Sequence, residues 1–331
     1  MSRVRRWAPV AYPVLLVLLT AVQVAAPRRS GPLALAQVFA PWLFLPLLFL
    51  LPFALALRDR VLAGALALAV LAFGAHLGPD LVPSGSRPAA GAVPVRVTSW
   101  NVLLSNPSRR VADTVRASDA DVVGLVELTP RQADALRSDP DVQARFRTVL
   151  LRPDAGRALL SRYPVLASGV REDPDGRPAT ASLWAQLDLG GARQLTAIVA
   201  HPLPAHAEPS SELPLRWDAG PRDAEIAFIR SFTDTEIAAG RRVVLMGDFN
   251  VTDREPAGRA LARGLSDAHD AAGWGPDPSW GPLMLRQHGV AVVRIDRILG
   301  GPGAVPTSFR TDCTFYGSDH CVLNATFAIA P

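Results

Sequence analysis

The sequence predicts an α/β domain built on two packed β-sheets, preceded by an N-terminal bundle of three membrane helices. Three observations predict it. Apolar runs fill the first 80 residues. Short strand patterns, with a few helical ones between them, fill the rest. Polar, metal-competent side chains recur where those strands run out.

The chain has 331 residues, 49% hydrophobic and 19% charged, which excludes disorder as its general state. Two cysteines are too few for a disulfide-stapled scaffold or a Cys-built zinc site. The formal net charge is +4, but it is unevenly placed. Residues 1–94 carry 8 Arg against 2 acids, whereas residues 95–331 carry 26 Arg against 28 acids. The basic excess therefore belongs to the N-terminal segment, and the remainder has no general polyanion-binding charge.

The apolar runs are residues 8–26, 33–57 and 61–77. A spanning helix needs about 20 apolar residues, with a range of about 17–25, so the first two qualify and the third is at the short limit. Pro41, Pro46 and Pro52 should bend the second helix, which a membrane bundle tolerates. Arg3, Arg5 and Arg6 precede the first run, and Arg58 and Arg60 lie between the second and third. Arg28 and Arg29 lie in the first connection. The positive-inside tendency then puts the N-terminus in the cytoplasm and everything after residue 77 outside the plasma membrane. The rival reading is a cleaved signal peptide ending near Ala25, which Pro27 disfavours and which leaves the outside placement intact. Residues 1–78 form the expected anchor, and residues 79–94, rich in Pro, Gly, Ser and Ala, read as a linker. A soluble domain is expected over 95–331.

Strands are expected at 95–99, 122–126, 147–151, 158–161, 182–187, 195–200, 243–246, within 290–299, and at 322–329. Helical spacing covers 106–117 and 223–237. Many strands and few helices favour two packed sheets over one doubly wound sheet. Asn101, Glu127, His201, Asp248 with Asn250, and Asp319 with His320 all sit at strand ends. Each has an ordinary alternative: a turn or cap for Asn101 and Glu127, a surface histidine for His201. Asp296 lies in an apolar stretch, where an unpaired carboxylate costs several kcal/mol. It needs a histidine or arginine partner, and Arg294 and Arg297 flank it.

Seven segments occur in order: Ser99-Trp100-Asn101, Val126-Glu127, Ser161-Arg162-Tyr163-Pro164, Val199-Ala200-His201, Gly247-Asp248-Phe249-Asn250, Arg294-Ile295-Asp296 and Ser318-Asp319-His320. Their order and spacing resemble the endonuclease/exonuclease/phosphatase superfamily, the DNase I-like fold, over residues 95–329. The resemblance implies a four-layer α/β sandwich of two packed mixed sheets flanked by helices. It also implies hydrolysis of a phosphate ester with Mg²⁺ or Mn²⁺. Glu127 looks like the main metal ligand, with Asn101 and Asp319 beside it, since Mg²⁺ prefers oxygen ligands. Asp248 and Asn250 look placed to hold the attacking water or a second ion, and the phosphoryl oxygens. His320 resembles a general base or charge stabiliser, with Asp296 orienting it. His201 resembles a donor to the phosphoryl oxygens or the leaving group. Asp248 and His320 stay alternatives for the base. Val126 stands where the superfamily often has Gln, and Ala200-His201-Pro202 replaces its more usual Thr-His or Asn-His. His206 reads as solvated, and Trp280 as either pocket lining or core. Cys313 and Cys321 flank Ser318-Asp319-His320 as either a disulfide or two buried thiols.

The whole chain, anchor included, is similar to the membrane branch that includes VanJ-type teicoplanin-resistance proteins. That similarity implies membrane lipids as partners and a lipid-linked or cell-wall phosphate as substrate, hence a link to antibiotic resistance. The alternative is a surface nuclease acting on extracellular DNA. The balance of 26 Arg against 28 acids in residues 95–331 disfavours nucleic acid. Oligomeric state leaves no signal in the sequence.

Overall fold

The computed structural model describes residues 3–172, 181–208 and 216–331. The N-terminal helices are α1 (Arg3–Ala25), α2 (Gly31–Val38), α3 (Ala40–Leu43), α4 (Leu47–Leu57) and α5 (Arg60–His76). The second apolar run is therefore not one bent helix. Pro41 and Pro46 lack an amide hydrogen, and the chain between α3 and α4 tightens into three-residue turns such as Phe44 N to Pro41 O and Leu47 N to Phe44 O. Among the described residues one helical stretch, Ala40–Leu57, is long and apolar enough to cross a membrane; Pro9–Ala25 and Arg60–His76 are shorter apolar helices. Of the three expected spans, that stretch is the one whose length and composition suffice on their own.

Catalytic-domain strands are β1 (Val93–Asn101), β2 (Val122–Val126), β3 (Thr148–Arg152), β4 (Arg157–Ser161), β5 (Val165–Arg171), β6 (Ser182–Gly190) and β7 (Arg193–Ala200). After a short pair, β8 (His206–Glu208) and β9 (Arg216–Asp218), come β10 (Arg242–Asp248), β11 (Ser266–Asp267), β12 (Asp296–Gly300), β13 (Ala304–Asp312) and β14 (Val322–Ile329). They form two six-stranded sheets, in the orders β13-β14-β1-β2-β4-β3 and β11-β12-β10-β7-β6-β5. Each sheet is mixed. β1 with β2 and β7 with β10 are the parallel pairs, and the other pairings are antiparallel.

The two sheets pack face to face through Val97, Val122, Leu159, Ala197, Val199, Met246 and Phe327. Gly124 marks how close they come: a Cβ there would meet Met246 Sδ at 2.5 Å. The outer face of the first sheet is covered by α6 (Ser108–Ala117), α7 (Pro130–Ser138) and α8 (Pro140–Arg145) through Val111, Val115, Leu136 and Phe146. The outer face of the second is covered by α9 (Gly220–Ala238) and α10 (Pro256–Ala262) through Ile226, Ile229 and Leu261. Helix, sheet, sheet, helix is the expected four-layer order. α7 begins with a capping box, Thr129 with Gln132.

The N-terminal helices lie against this domain. Trp42 Nε1 donates to the Val292 carbonyl at 2.7 Å, Arg254 Nη1 donates to the His76 carbonyl at 3.1 Å, and Arg254 pairs with Asp80. The segment expected as a linker is also held: Ser84 N donates to Asp270 O at 2.8 Å and Gly275 N to Leu81 O at 3.0 Å.

Candidate active site

Parallel strands all end at one edge of their sheet, and this topology gathers the site. β1 ends in Asn101, and Glu127 follows β2; in the other sheet β10 ends in Asp248, and His201 follows β7. β12 runs back from that rim, so its first residue, Asp296, stands opposite Asp248. Asp319 and His320 arrive just before β14, which runs antiparallel to β1. The residues named from the sequence thus come from both sheets to one crevice.

Asn101 Nδ2 donates to Glu127 Oε1 and to Asp248 Oδ2, both at 3.0 Å. His201 Nε2 lies 3.4 Å from Asp248 Oδ2 and 3.8 Å from Glu127 Oε1. His320 Nε2 lies 3.6 Å from Asp248 Oδ2 and 3.9 Å from Asp319 Oδ1. On its other side His320 Nδ1 meets Asp296 Oδ2 at 2.8 Å. Asn250 N donates to Asp248 Oδ1 at 2.9 Å, and Asn250 Nδ2 turns to the Pro202 carbonyl at 3.0 Å. All eight residues therefore belong to one connected group centred on Asp248.

Local backbone explains part of this placement. Gly247 has φ 145°, and a Cβ there would fall 1.9 Å from the Ala200 carbonyl oxygen of the neighbouring strand. Only glycine fits in front of Asp248. Glu127 and Asn250 have φ 60° and 51°, a left-handed conformation costing about 1–2 kcal/mol outside glycine. Strain of this kind concentrates at functional sites.

Electrostatics divides the group. Burial opposes charge on Asp248, but His320 and His201 overcome it and hold the carboxyl down at about 2. Burial also opposes charge on His320. Asp296 and Asp248 reverse it and push the imidazole up to about 10. Burial pushes the Asp296 carboxyl up, against the pull of His320. Among the described residues Asp248, Asp296 and His320 offer atoms within 4.8 Å of one another, a group able to hold a cation. We favour a different division of these atoms. His320 Nδ1 is committed to Asp296, while Asp319 Oδ1 is a buried oxygen without a hydrogen-bond partner. Glu127 and Asp319 supply the hard oxygen donors Mg²⁺ and Mn²⁺ prefer. Asn101 Oδ1 accepts from Leu103 N at 3.0 Å, so ligation by Asn101 requires its amide to turn.

The arginines flanking Asp296 are not its partners. Arg294 reaches Asp267, Asp253 and Asp270 at 3.1, 2.9 and 3.0 Å, and Arg297 reaches Asp267 at 2.7 Å. Arg162, in the quoted Ser-Arg-Tyr-Pro segment, pairs with Asp121 at 3.3 Å and takes no part in the crevice. His206 is exposed on β8. Part of the rim loop after His201, residues 209–215, lies outside the described residues.

Three residues support these side chains; the sequence left Trp280 open between pocket lining and core, and gave Ser279 and Arg157 no role. Trp280 Nε1 donates to Asp319 Oδ2 at 3.1 Å, and Ser279 Oγ accepts from Asp296 N at 3.0 Å. Arg157 is 3% exposed and donates to the His201 carbonyl at 2.8 Å. Burial pushes its guanidinium down to about 10, while Asp248 and Glu127 pull it back up. A charged residue opening the apolar run Ala158-Leu159-Leu160 was the one available signal. The sulfurs of Cys313 and Cys321 stand 2.15 Å apart, at bonding distance, on either side of the loop carrying Asp319 and His320.

The family model for the "Endonuclease/Exonuclease/phosphatase family" matches residues 98–320. The chain belongs to the endonuclease/exonuclease/phosphatase family. Members of this family hydrolyse phosphoester bonds and are typically dependent on a divalent metal. Solved structures share the fold. An endonuclease/exonuclease/phosphatase from Bacteroides vulgatus is 22% identical, with TM-score 0.57, over 72% of this chain and 99% of that one. Truncated Caenorhabditis elegans TDP2 is 22% identical, with TM-score 0.53, over 71% and 98%. A functionally unknown conserved protein from Enterococcus faecalis V583 is 18% identical, with TM-score 0.53, over 71% and 99%. No curated protein matches the sequence.

Proposed function

We propose that the chain is a membrane-anchored phosphohydrolase dependent on Mg²⁺ or Mn²⁺. It cleaves a phosphate ester or pyrophosphate bond of a lipid-linked or cell-envelope substrate on the outer face of the membrane, as its similarity to the VanJ-type branch suggests. The observation that carries the chemistry is the Asp248 carboxylate, set between Asn101, His201 and His320 at 3.0, 3.4 and 3.6 Å. A divalent cation would be held by Glu127, Asp319 and Asn101, and would supply charge neutralisation for the phosphoryl oxygens.

The protein's own groups do the rest. Asp248, held ionised, orients water and accepts its proton as the water oxygen attacks phosphorus. Asn250 fixes that carboxylate through its backbone amide. His320, held protonated, donates to a phosphoryl oxygen as negative charge builds there. Asp296 orients it. His201 donates to the leaving oxygen as the P–O bond breaks. Positioning and electrostatics suffice for an in-line displacement, so no covalent enzyme intermediate is needed.

Membrane attachment rests on apolar surface. Among the described residues, most of the large hydrophobic side chains left exposed lie between Val14 and Val82, including Leu15 at 60%, Phe49 at 76%, Leu55 at 68% and Leu71 at 67%. Exposed apolar residues concentrated in one region mark an interaction surface and suit lipid contact. In this reading α1, the α3–α4 stretch and α5 cross the bilayer and leave the domain outside.

The test is a substrate panel on the full chain in nanodiscs: a polyprenyl pyrophosphate, phospholipids and plasmid DNA, each with Mg²⁺ or EDTA. Metal-dependent release of phosphate from the polyprenyl compound is expected. Faster cleavage of DNA would replace the lipid reading with a nuclease. Inertness toward all of them would overturn the enzyme assignment.

A further inference from the structure

A second cavity lies where the N-terminal helices meet the catalytic domain. It encloses about 590 Å³, well within the range of small-molecule sites. One wall is helical and apolar, with Val38, Leu48, Val70 and Phe73 among its residues; the opposite wall is the stretch through Val292 and Val293. We propose that this cavity holds the hydrocarbon chain of a membrane lipid whose phosphate head lies in the catalytic crevice. The proposal rests on the phosphohydrolase reading above and adds where the substrate's tail is bound.

Three features argue for a hydrocarbon occupant. First, the cavity is continuous with the exposed apolar belt. Leu48 and Val70 line it and are also 66% and 55% exposed on the helical surface, so it opens toward the side that faces lipid. Second, its charged floor is already neutralised. Arg254 pairs with Asp80 and Asp253, and Arg294 with Asp253, Asp267 and Asp270. His269 is also engaged, by Asp270 and the Gly275 carbonyl, so no uncompensated charge there asks for a phosphate, and apart from Thr252 the remaining lining is apolar. Third, the far wall is one residue from the site. Val293 bridges Trp280, and the Trp280 indole holds Asp319. A chain lying along Val292 and Val293 would leave its head beside Asp319, where the carboxylates and imidazoles converge. Confining the tail there raises the effective concentration of the head at the crevice.

Two readouts test this on the full chain in detergent micelles. A C15 isoprenyl phosphate with a diazirine at its tail end, photolysed in EDTA, reports binding without catalysis. Label is expected on residues 38–48 and 70–77, cut at least tenfold by Val38→Trp or Val70→Trp, which fill the cavity. In parallel, Mg²⁺-dependent hydrolysis of C15 isoprenyl pyrophosphate should fall at least tenfold in kcat/KM in both variants, while hydrolysis of bis(p-nitrophenyl) phosphate stays within twofold. Leu71→Trp, on the exposed belt, should change neither. Label spread evenly over the belt and indifferent to filling would overturn the tail site. So would an equal loss on both substrates. A wild-type chain that binds the probe in the cavity yet hydrolyses nothing would sink the phosphohydrolase reading and leave the lipid site standing.

Discussion

The N-terminal helices and the catalytic domain treat apolar side chains in opposite ways. Leu15, Phe49, Leu55 and Leu71 are more than half exposed, whereas Val97, Leu159, Val199 and Met246 are at most 1% exposed. The two regions contain the same residue types in different patterns. Burial on both faces of a sheet makes strands of continuous apolar residues, closed off within 4–8 residues by polar ends. The helical region has apolar residues on every side, which is stable where the surroundings are themselves apolar. The polar chemistry belongs wholly to the domain, at the ends of its strands. The helices should therefore decide where the reaction happens and on what, and the domain whether it happens.

That division can be broken from the domain side with the largest effect. Asp248→Asn, isosteric but unable to accept the water proton, should lower kcat by about 10²–10⁴ on every substrate, since that is the usual worth of a positioned acid or base. Its fold, read by circular dichroism, should persist. Comparable loss on lipid alone would show that the division is wrong. Trp280→Phe removes the indole donor from Asp319 while keeping an aromatic ring. Metal affinity should weaken by about 10–100-fold, the usual effect of losing a ligand's supporting hydrogen bond, as measured by Mn²⁺ titration of activity.

The buried charge cluster behind the site gives a stability prediction confined to the domain. Burial pushes the Asp267 carboxyl up, but Arg294 and Arg297 outweigh it and hold it at about 2; Asp253 is likewise held below the usual range. A depressed carboxyl stabilises the folded state above its unfolded value of about 3.9, and that stabilisation is lost as pH falls toward the folded value. The temperature of thermal unfolding should therefore fall as pH drops from about 4 to 2. Arg294→Met should flatten this decline and lower stability by about 3–5 kcal/mol, because it leaves buried carboxylates unpaired. The smallest effect should come from the helices. Leu55→Ala on the belt should leave hydrolysis of a soluble phosphodiester unchanged, because Leu55 is far along the chain from every crevice residue and 68% exposed.

Elements buried on both faces were legible in the sequence. β2, β7, β10 and β14 appear close to where apolar runs place them, and β14 matches at both ends. Two edge strands, β13 and β5, were not, although the edge strand β3 lies within one residue of its expected place. β13 carries Pro306 and a register shift between Pro306 and Ser308, which an edge position tolerates and an alternating pattern hides. β5 leaves much of its length exposed, so nothing in its composition marks a core face. α7 has little apolar content, and its legible sign was the Thr129–Gln132 cap rather than periodicity. The apolar count over 33–57 concealed the break between α3 and α4, because hydropathy does not register a missing amide hydrogen.

The site was legible as strand-end residues, and the motif order placed them in one group. Their supports were not. Trp280, Ser279 and Arg157 act through hydrogen bonds between segments 39, 17 and 44 residues apart, which no local pattern encodes.

The central claim is that the carboxylates of Glu127 and Asp319 hold one divalent cation beside Asp248 and His320. Mn²⁺ binding followed by electron paramagnetic resonance tests it most directly, on the full chain and on Glu127→Gln, Asp319→Asn and the double variant. Saturable binding, weakened at least tenfold by either substitution and absent in the double variant, is predicted. Equal Mn²⁺ binding by all four proteins would contradict the account.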